Sequence, residues 1–444
     1  AAWRYFNRAP SQLSWAESAM LAVLPNAPGL IHLNKNRNAL LDKRNKLLKD
    51  LVEDDYISKE AYSIAIDEPL PQPLNSLPHH AYHLVNRFDA EANRIHSTID
   101  LKWQKQFNAI TKNYGAELVR QNIHNLSAVL LEVETGEVLA YVGNLFRDND
   151  LHAGKVDMLK SVRSSGSILK PLLYVAGISD GLITPKQLLP DYPINFNGYR
   201  PTNYNPNFDG LVPADEALYR SLNVPATWLM SQYGIAKFKN TLNELGFTSI
   251  NRPATDYGLS LILGGAEVNL LELTASYAAL ANKLTNSTKM QYTSFGTLEQ
   301  AKPWTKAKVS LNNASIYSTL SAISNTFRPE TEAYWKNFSS SSKLAWKTGT
   351  SYGNRDAWAI GVNKKYAIGV WIGNSDGQGV SGLTGLNHAA PLLFQLLDVL
   401  PQTKWFVEPY DFQSAELCKV SGQKANEFCP ETQTSLIPIA SANT

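Results

Sequence analysis

Ser167 and Lys170 stand three residues apart in Gly166-Ser-Ile-Leu-Lys-Pro171, ahead of the apolar run Leu172-Leu-Tyr-Val-Ala176. On the first turn of a helix that spacing puts a hydroxyl and an amine on one face. A serine hydroxyl is a weak nucleophile until a neighbouring base takes its proton, and a lysine does so only when neutral. Lys170 is therefore expected in a partly desolvated place beside another cation. A helix N-terminus adds unpaired N–H groups that favour developing negative charge, and Pro171 is tolerated within a first turn. Further along come Ser221-Leu-Asn223 and Lys347-Thr-Gly-Thr350. Ser221 suits a proton relay between Lys170 and a leaving amine, and Asn223 suits a substrate amide. Lys347 is the second cation, and with Thr348, Gly349 and Thr350 it suits a terminal carboxylate. The backbone N–H groups of Ser167 and Thr350 are the expected oxyanion hole, worth roughly 3 kcal/mol per donor. The chemistry these residues specify is acyl transfer through a serine ester.

Each motif alone is weak. Ser-x-x-Lys recurs at Ser340–Lys343 and Ser421–Lys424, and Ser-x-Asn at Ser249–Asn251 and Ser310–Asn312. Context separates them. Ser340 lies in a serine run that reads as a connector, and Ser421 sits in a polar tail. Only Ser167 precedes an apolar stretch of helical length. Lys347-Thr-Gly is the one Lys-Thr/Ser-Gly in the chain.

The elements that must position these residues can be read from hydrophobic pattern. Residues 1–68 read as helices over Trp15–Leu24, Ala39–Val52 and Lys59–Ile66, and Pro69, Pro71, Pro73 and Pro78 mark a linker over 69–94. A large domain is expected over 95–400. It opens with strand-like Ile95–Ile99, helix Trp103–Tyr114 and strand Ser127–Val133, and Thr135-Gly136 turns into strand Val138–Val142. Helical stretches then precede two more strands, one carrying Lys347 and one at Tyr366–Gly373. A sheet with helices on both faces fits this order. The remainder, 401–444, is too short to be a finished domain.

With 444 residues and 44% hydrophobic content the chain can bury a large core in two or three domains. A net charge of +2 argues against nucleic acid as a main partner, and the aromatic- and Asn-rich stretch Tyr192–Phe208 reads as an ordered loop. No apolar run approaches the ~20 residues of a membrane span. The chain opens at Ala1 as though mid-domain, so an anchor and more are expected upstream. His79-His80-x-x-His83 sits in a Pro-rich connector and is read as no metal site. Cys418 and Cys429 are the only cysteines, open to a disulfide outside the cytoplasm or to a metal pair.

The three motifs in this order are a signature shared by class A β-lactamases and penicillin-binding proteins. The chain resembles the bifunctional class A penicillin-binding proteins, most closely the 1C type, over nearly its whole length. The resemblance is carried by Arg163–Pro171, Leu218–Ala226, Lys347–Trp358, Leu263–Leu273 and Ile99-Asp-Leu101. It implies an α/β fold of the α+β type: a transpeptidase domain with a central antiparallel sheet flanked by helices. Residues 1–68 resemble the last part of a glycosyltransferase domain, through Tyr5-Phe6 and Leu21–Pro28, whose catalytic glutamates lie upstream. The cysteine tail looks like the start of an extra C-terminal domain.

The resemblance implies a D,D-transpeptidase that cross-links peptidoglycan stem peptides and is acylated by β-lactams, without cofactor or metal. It implies a place on the periplasmic face of the inner membrane, and cell-wall synthesis proteins as partners. The competing enzyme is a β-lactamase, and the competing non-enzyme a β-lactam sensor or scaffold. Against the first, a Glu-x-x-x-Asn deacylation loop is missing: four residues after Glu244, Glu267 and Glu272 stand Thr248, Leu271 and Ser276.

Overall fold

The computed structural model describes residues 1–26, 33, 36–72, 79–87, 96–145, 152–285, 311–329 and 343–441. They form two compact units, Ala1–His79 and His80–Thr444.

The first unit is helical, with helices at Trp15–Val23, Arg37–Glu53 and Lys59–Asp67, close to the expected spans. Ser14 and Glu17 build a capping box at the start of the first: Ser14 Oγ accepts from Glu17 N and Glu17 Oε2 from Ser14 N. Ala16, Ala19, Leu48, Ile57 and Ala65 form its small core.

The second unit is built on a five-stranded antiparallel sheet: β1 (Asn125–Glu132), β2 (Val138–Val142), β3 (Ala345–Thr350), β4 (Asp356–Val362) and β5 (Tyr366–Gly373). The spatial order is β2-β1-β5-β4-β3, so the Lys347 strand is an edge. Register pairs Ala128 with Val142 and Val370, and Gly349 with Trp358. One face is covered by α1 (Leu101–Val119) and, later in the chain, Ala390–Asp398. The other carries α2 (Lys170–Ser179), α3 (Asn223–Tyr233), α4 (Leu270–Leu284) and α5 (Asn313–Ile323). Helices on both faces of an antiparallel sheet are the architecture the resemblance implied.

Three sequence readings need correction. The sequence pattern does not disclose β4, because Asp356–Val362 is buried on both faces and shows no alternation. Among the described residues of Ile95–Ile99 no strand forms: the segment runs beside β2 with Thr98 Oγ1 donating to Val138 O and Asp100 N to Leu139 O. Finally, α2 starts at Lys170, so Ser167 stands before the helix, in turns where Ile168 N donates to Ser165 O and Lys170 N to Ser167 O.

The stretch read as a linker contributes a helical turn, Tyr82–Val85, with His83 and Leu84 buried in the second unit. The tail forms a hairpin, Phe412–Cys418 with Thr432–Pro438. Its turn rests on the segment after α2: Thr184 Oγ1 donates to Gly422 O at 2.7 Å and Leu188 N to Ser421 O at 2.8 Å. Cys418 and Cys429 are both thiols. A hydrogen bond from Cys429 lowers Cys418 to about 7.

Candidate active site

The Ser167 turn is pressed against the edge strand. Gly166 has φ of +51°, and a Cβ there would lie 2.5 Å from Thr350 O; one on Gly349 would lie 2.8 Å from Ser165 O. Only glycine admits both the left-handed backbone and this approach. The turn is held from three further sides. Ser165 N donates to Ala266 O, Trp358 Nε1 to Ser164 O and the Tyr277 hydroxyl to Ile168 O. The Leu263-Gly-Gly-Ala266 landmark and the α4 helix thus act as backing for the serine.

Beside the turn four of the expected residues meet. Lys170, wholly buried, donates through Nζ to Ser221 O (2.7 Å), Leu222 O (3.0 Å) and Asn223 Oδ1 (2.7 Å). Lys347, also buried, donates to Ser221 Oγ (2.7 Å) and Thr348 O (2.9 Å). Ser221 is therefore shared by the two amines, through its carbonyl and its hydroxyl. It adopts φ of +61°, a left-handed conformation costing of order 1 kcal/mol or more and met where function over-determines the backbone. Asn223 is oriented by Nδ2, which donates to Thr202 O at 2.8 Å.

Two ammonium groups 4 Å apart repel by about 4 kcal/mol at an effective dielectric of 20, so two amines sharing one serine disfavour carrying two full charges. Burial drives Lys170 well below the ordinary lysine range, with the Lys347 charge adding to it. Burial alone lowers Lys347 to about 7. Burial thus favours a neutral Lys170, while the three acceptors around its Nζ suit an ammonium, so a neutral amine keeps two of these bonds.

Ser167 itself is half-buried, and neither its hydroxyl nor its N–H bonds to a described group. The Lys170 amine is turned to the Ser221 carbonyl instead of the Ser167 hydroxyl. On β3 the ladder bond Ser351 N to Asp356 O sets the alternation, so Thr350 N faces away from β4, towards the Gly166 turn. Alternation also divides the third motif. Lys347 and Gly349 face the helices α2–α4, while Thr348 and Thr350 face the other way, with Thr350 Oγ1 accepting from Gly385 N. The ammonium and hydroxyls expected together thus lie on opposite faces of one strand edge.

The competing Ser-x-x-Lys and Ser-x-Asn matches lie elsewhere. Ser249 donates to Glu272, Ser421 belongs to the tail turn, and Ser340 and Ser310 lie outside the described residues. His83 Nε2 is 2.7 Å from Gly154 O, and among the described residues no group of three His, Cys, Asp or Glu converges for a metal. Sequence reading missed Asn203, whose amide holds the backbone of Asn223; its only signal was a polar loop rich in asparagine.

Residues 126–392 match the family described as penicillin binding protein transpeptidase domain, and residues 1–52 match the family described as transglycosylase. The chain is 33% identical over 403 residues to penicillin-binding protein 1C of Escherichia coli K12, covering 90% of this chain and 50% of that protein. It is 26% identical to penicillin-binding protein 1B of Haemophilus influenzae, over 99% of this chain and 61% of that one. The chain thus spans about half to three fifths of the length of these relatives. Among solved structures, penicillin-binding protein 1A of Haemophilus influenzae has the same fold with a TM-score of 0.66, at 17% identity over 98% of this chain and 87% of that one. PonA1 of Mycobacterium tuberculosis in complex with penicillin V matches with a TM-score of 0.58, at 18% identity over 84% of this chain and 96% of that one. The transpeptidase match spans more than half of the 444 residues and contains all three motifs, so the chain belongs to the class A penicillin-binding proteins and carries their transpeptidase domain.

Proposed function

We propose that this domain is a serine D,D-transpeptidase acting on peptidoglycan stem peptides. The observation that carries the reading is the pair of buried amines, Lys170 and Lys347, sharing Ser221 beside the Ser167 turn. Neutral Lys170 takes the Ser167 proton as Oγ attacks the carbonyl of a D-Ala-D-Ala-like end. The Ser167 and Thr350 N–H groups receive the oxyanion. The C–N bond breaks, the leaving amine takes its proton through Ser221, and an ester remains on Ser167. An acceptor amine then attacks that ester, losing its proton to Lys170 and restoring the Ser167 hydroxyl. Asn223 binds the stem-peptide amide, and Lys347 with Thr348, Gly349 and Thr350 binds the terminal carboxylate. No cofactor enters these steps. A β-lactam ring is opened by the same attack.

The transglycosylase match at residues 1–52 supports a bifunctional peptidoglycan synthase as the whole protein, for which we propose a place on the periplasmic face of the inner membrane. Among the described residues no helix is long and apolar enough to cross a membrane.

The test supplies a D-Ala-D-Ala-ended peptide with a free-amine acceptor and follows products by chromatography and mass. Acceptor-dependent cross-linked product that vanishes in Ser167→Ala is expected. Hydrolysis alone, with no product carrying the acceptor, would refute transpeptidation.

A further inference from the structure

Asn203 belongs to none of the three motifs, yet the second motif rests on it. It is nearly buried in the loop that precedes Ser221. Its Oδ1 accepts from Asn223 N at 2.8 Å and from Val224 N at 3.3 Å, the first two N–H groups of α3. That helix has Leu222 in its cap position and so no cap of its own. The Asn203 amide is fixed in turn: Nδ2 donates to Asp191 Oδ1 at 2.7 Å and to Asn207 O at 3.2 Å. Asp191 is fully buried, and its other oxygen accepts from Asp209 N at 3.1 Å. The neighbouring Thr202 carbonyl holds Asn223 Nδ2, which turns Asn223 Oδ1 to Lys170.

We infer that Asn203 is a positioning residue for acyl transfer: a helix cap supplied from a distant loop that fixes Asn223 and, through it, the Lys170 amine. This rests on the reading of Ser167 as nucleophile and Lys170 as base. Without the amide, two N–H groups and one buried carboxylate lose their partner together, and the start of α3 is free to shift. A displacement of about 1 Å at a reacting group costs on the order of 100-fold in rate. The ionisable groups around this network include Lys347 from β3, Tyr174 from α2, Asp215 and Glu216 from the helix Ala214–Tyr219, and Asp209, which pairs with Arg220 just before Ser221.

The test measures acylation by a fluorescent penicillin as a function of pH in wild type and four variants. These are Asn203→Ala, Asn223→Ala, both together, and the exchange Asn203→Asp with Asp191→Asn. The exchange keeps the cap and the Asn203–Asp191 contact with donor and acceptor reversed, and gives up the donation to Asn207 O. Asn203→Ala is expected to slow acylation about 10- to 100-fold. Combined with Asn223→Ala it should add less than about 2-fold, because both act through one group. The exchange should recover most of the rate, and its acid limb should move to higher pH, since a carboxylate now lies nearer Lys170 and favours the ammonium. Additive losses, or a recovered rate with an unmoved limb, would overturn the inference and leave Asn203 a packing residue. If Asn203→Ala does not fold, the limb of the exchange variant decides. Wild type that is never labelled at Ser167 would overturn the nucleophile assignment instead.

Discussion

At the scale of residues, the unusual feature is two lysines buried next to each other without a carboxylate between them. The groups bonded to their amines are carbonyls, an amide and a hydroxyl. Burial of that kind disfavours charge, and the sign can be followed in a measurement. Free Lys347 titrates at about 7, against 10.5 ordinarily, so between those values the unfolded chain binds more protons than the folded one and stability rises with pH. A ligand carboxylate beside Lys347 favours the ammonium and raises it again. Binding of penicillin to Ser167→Ala at about pH 8 should therefore take up a fraction of a proton. Calorimetry in buffers of different ionisation enthalpy reads this directly. An enthalpy independent of buffer would mean that Lys347 is not the group that meets the carboxylate. Residue types and spacing made Ser167, Lys170, Ser221, Asn223 and Lys347 legible in the sequence. The Ser221 backbone at φ of +61° was not, because no local pattern announces a strained serine.

At the scale of elements, the site is a contact between one turn and one strand edge. Gly166 makes that contact, and substitution separates its two roles. Gly166→Ala adds both left-handed strain and a clash with Thr350 O. Gly234→Ala, at φ of +92° between two helices, meets nothing within 4 Å and adds strain alone. Both should lose about 1–3 kcal/mol in denaturant unfolding. Only Gly166→Ala should also slow acylation, by about 100-fold. Equal acylation by the two folded variants would show that the closeness of turn and strand is not what the reaction needs. The same scale explains which elements the sequence disclosed. β2 and β5 occupy their expected spans, and β1 starts and ends within two residues of its own. The twice-buried β4 has no period to find. Its apolar neighbours predict Ser167 on a helix, but the chain needs Gly166 and two i→i+3 bonds before α2 can begin.

At the scale of the whole molecule, one sheet edge carries the proposed site and the rest of the second unit packs around it. Even the tail takes part: Ser441 Oγ donates to Ile178 O and Ile183 O, at and just beyond the end of α2. What the fold omits also bears on function. Among the described residues, no carboxylate bonds to Lys170, Ser221, Asn223 or Lys347. The first one reached along the network is Asp191, whose two oxygens are held by Asn203 and Asp209 N. The other buried carboxylates among the described residues of the second unit are Glu272, which accepts from Thr248 and Ser249, and Asp356, which accepts from Trp371 Nε1. Among the described residues no carboxylate is therefore placed as a dedicated base for water at a Ser167 ester, as a class A β-lactamase requires, and we expect that ester to be slow to hydrolyse. The most direct measurement is the intact mass of the protein after penicillin, followed for an hour and mapped to a peptide. We expect one penicilloyl adduct on Ser167, persisting for minutes or longer and missing in Ser167→Ala. Rapid return to the unmodified mass with continued consumption of penicillin, or an adduct on another serine, would contradict the account.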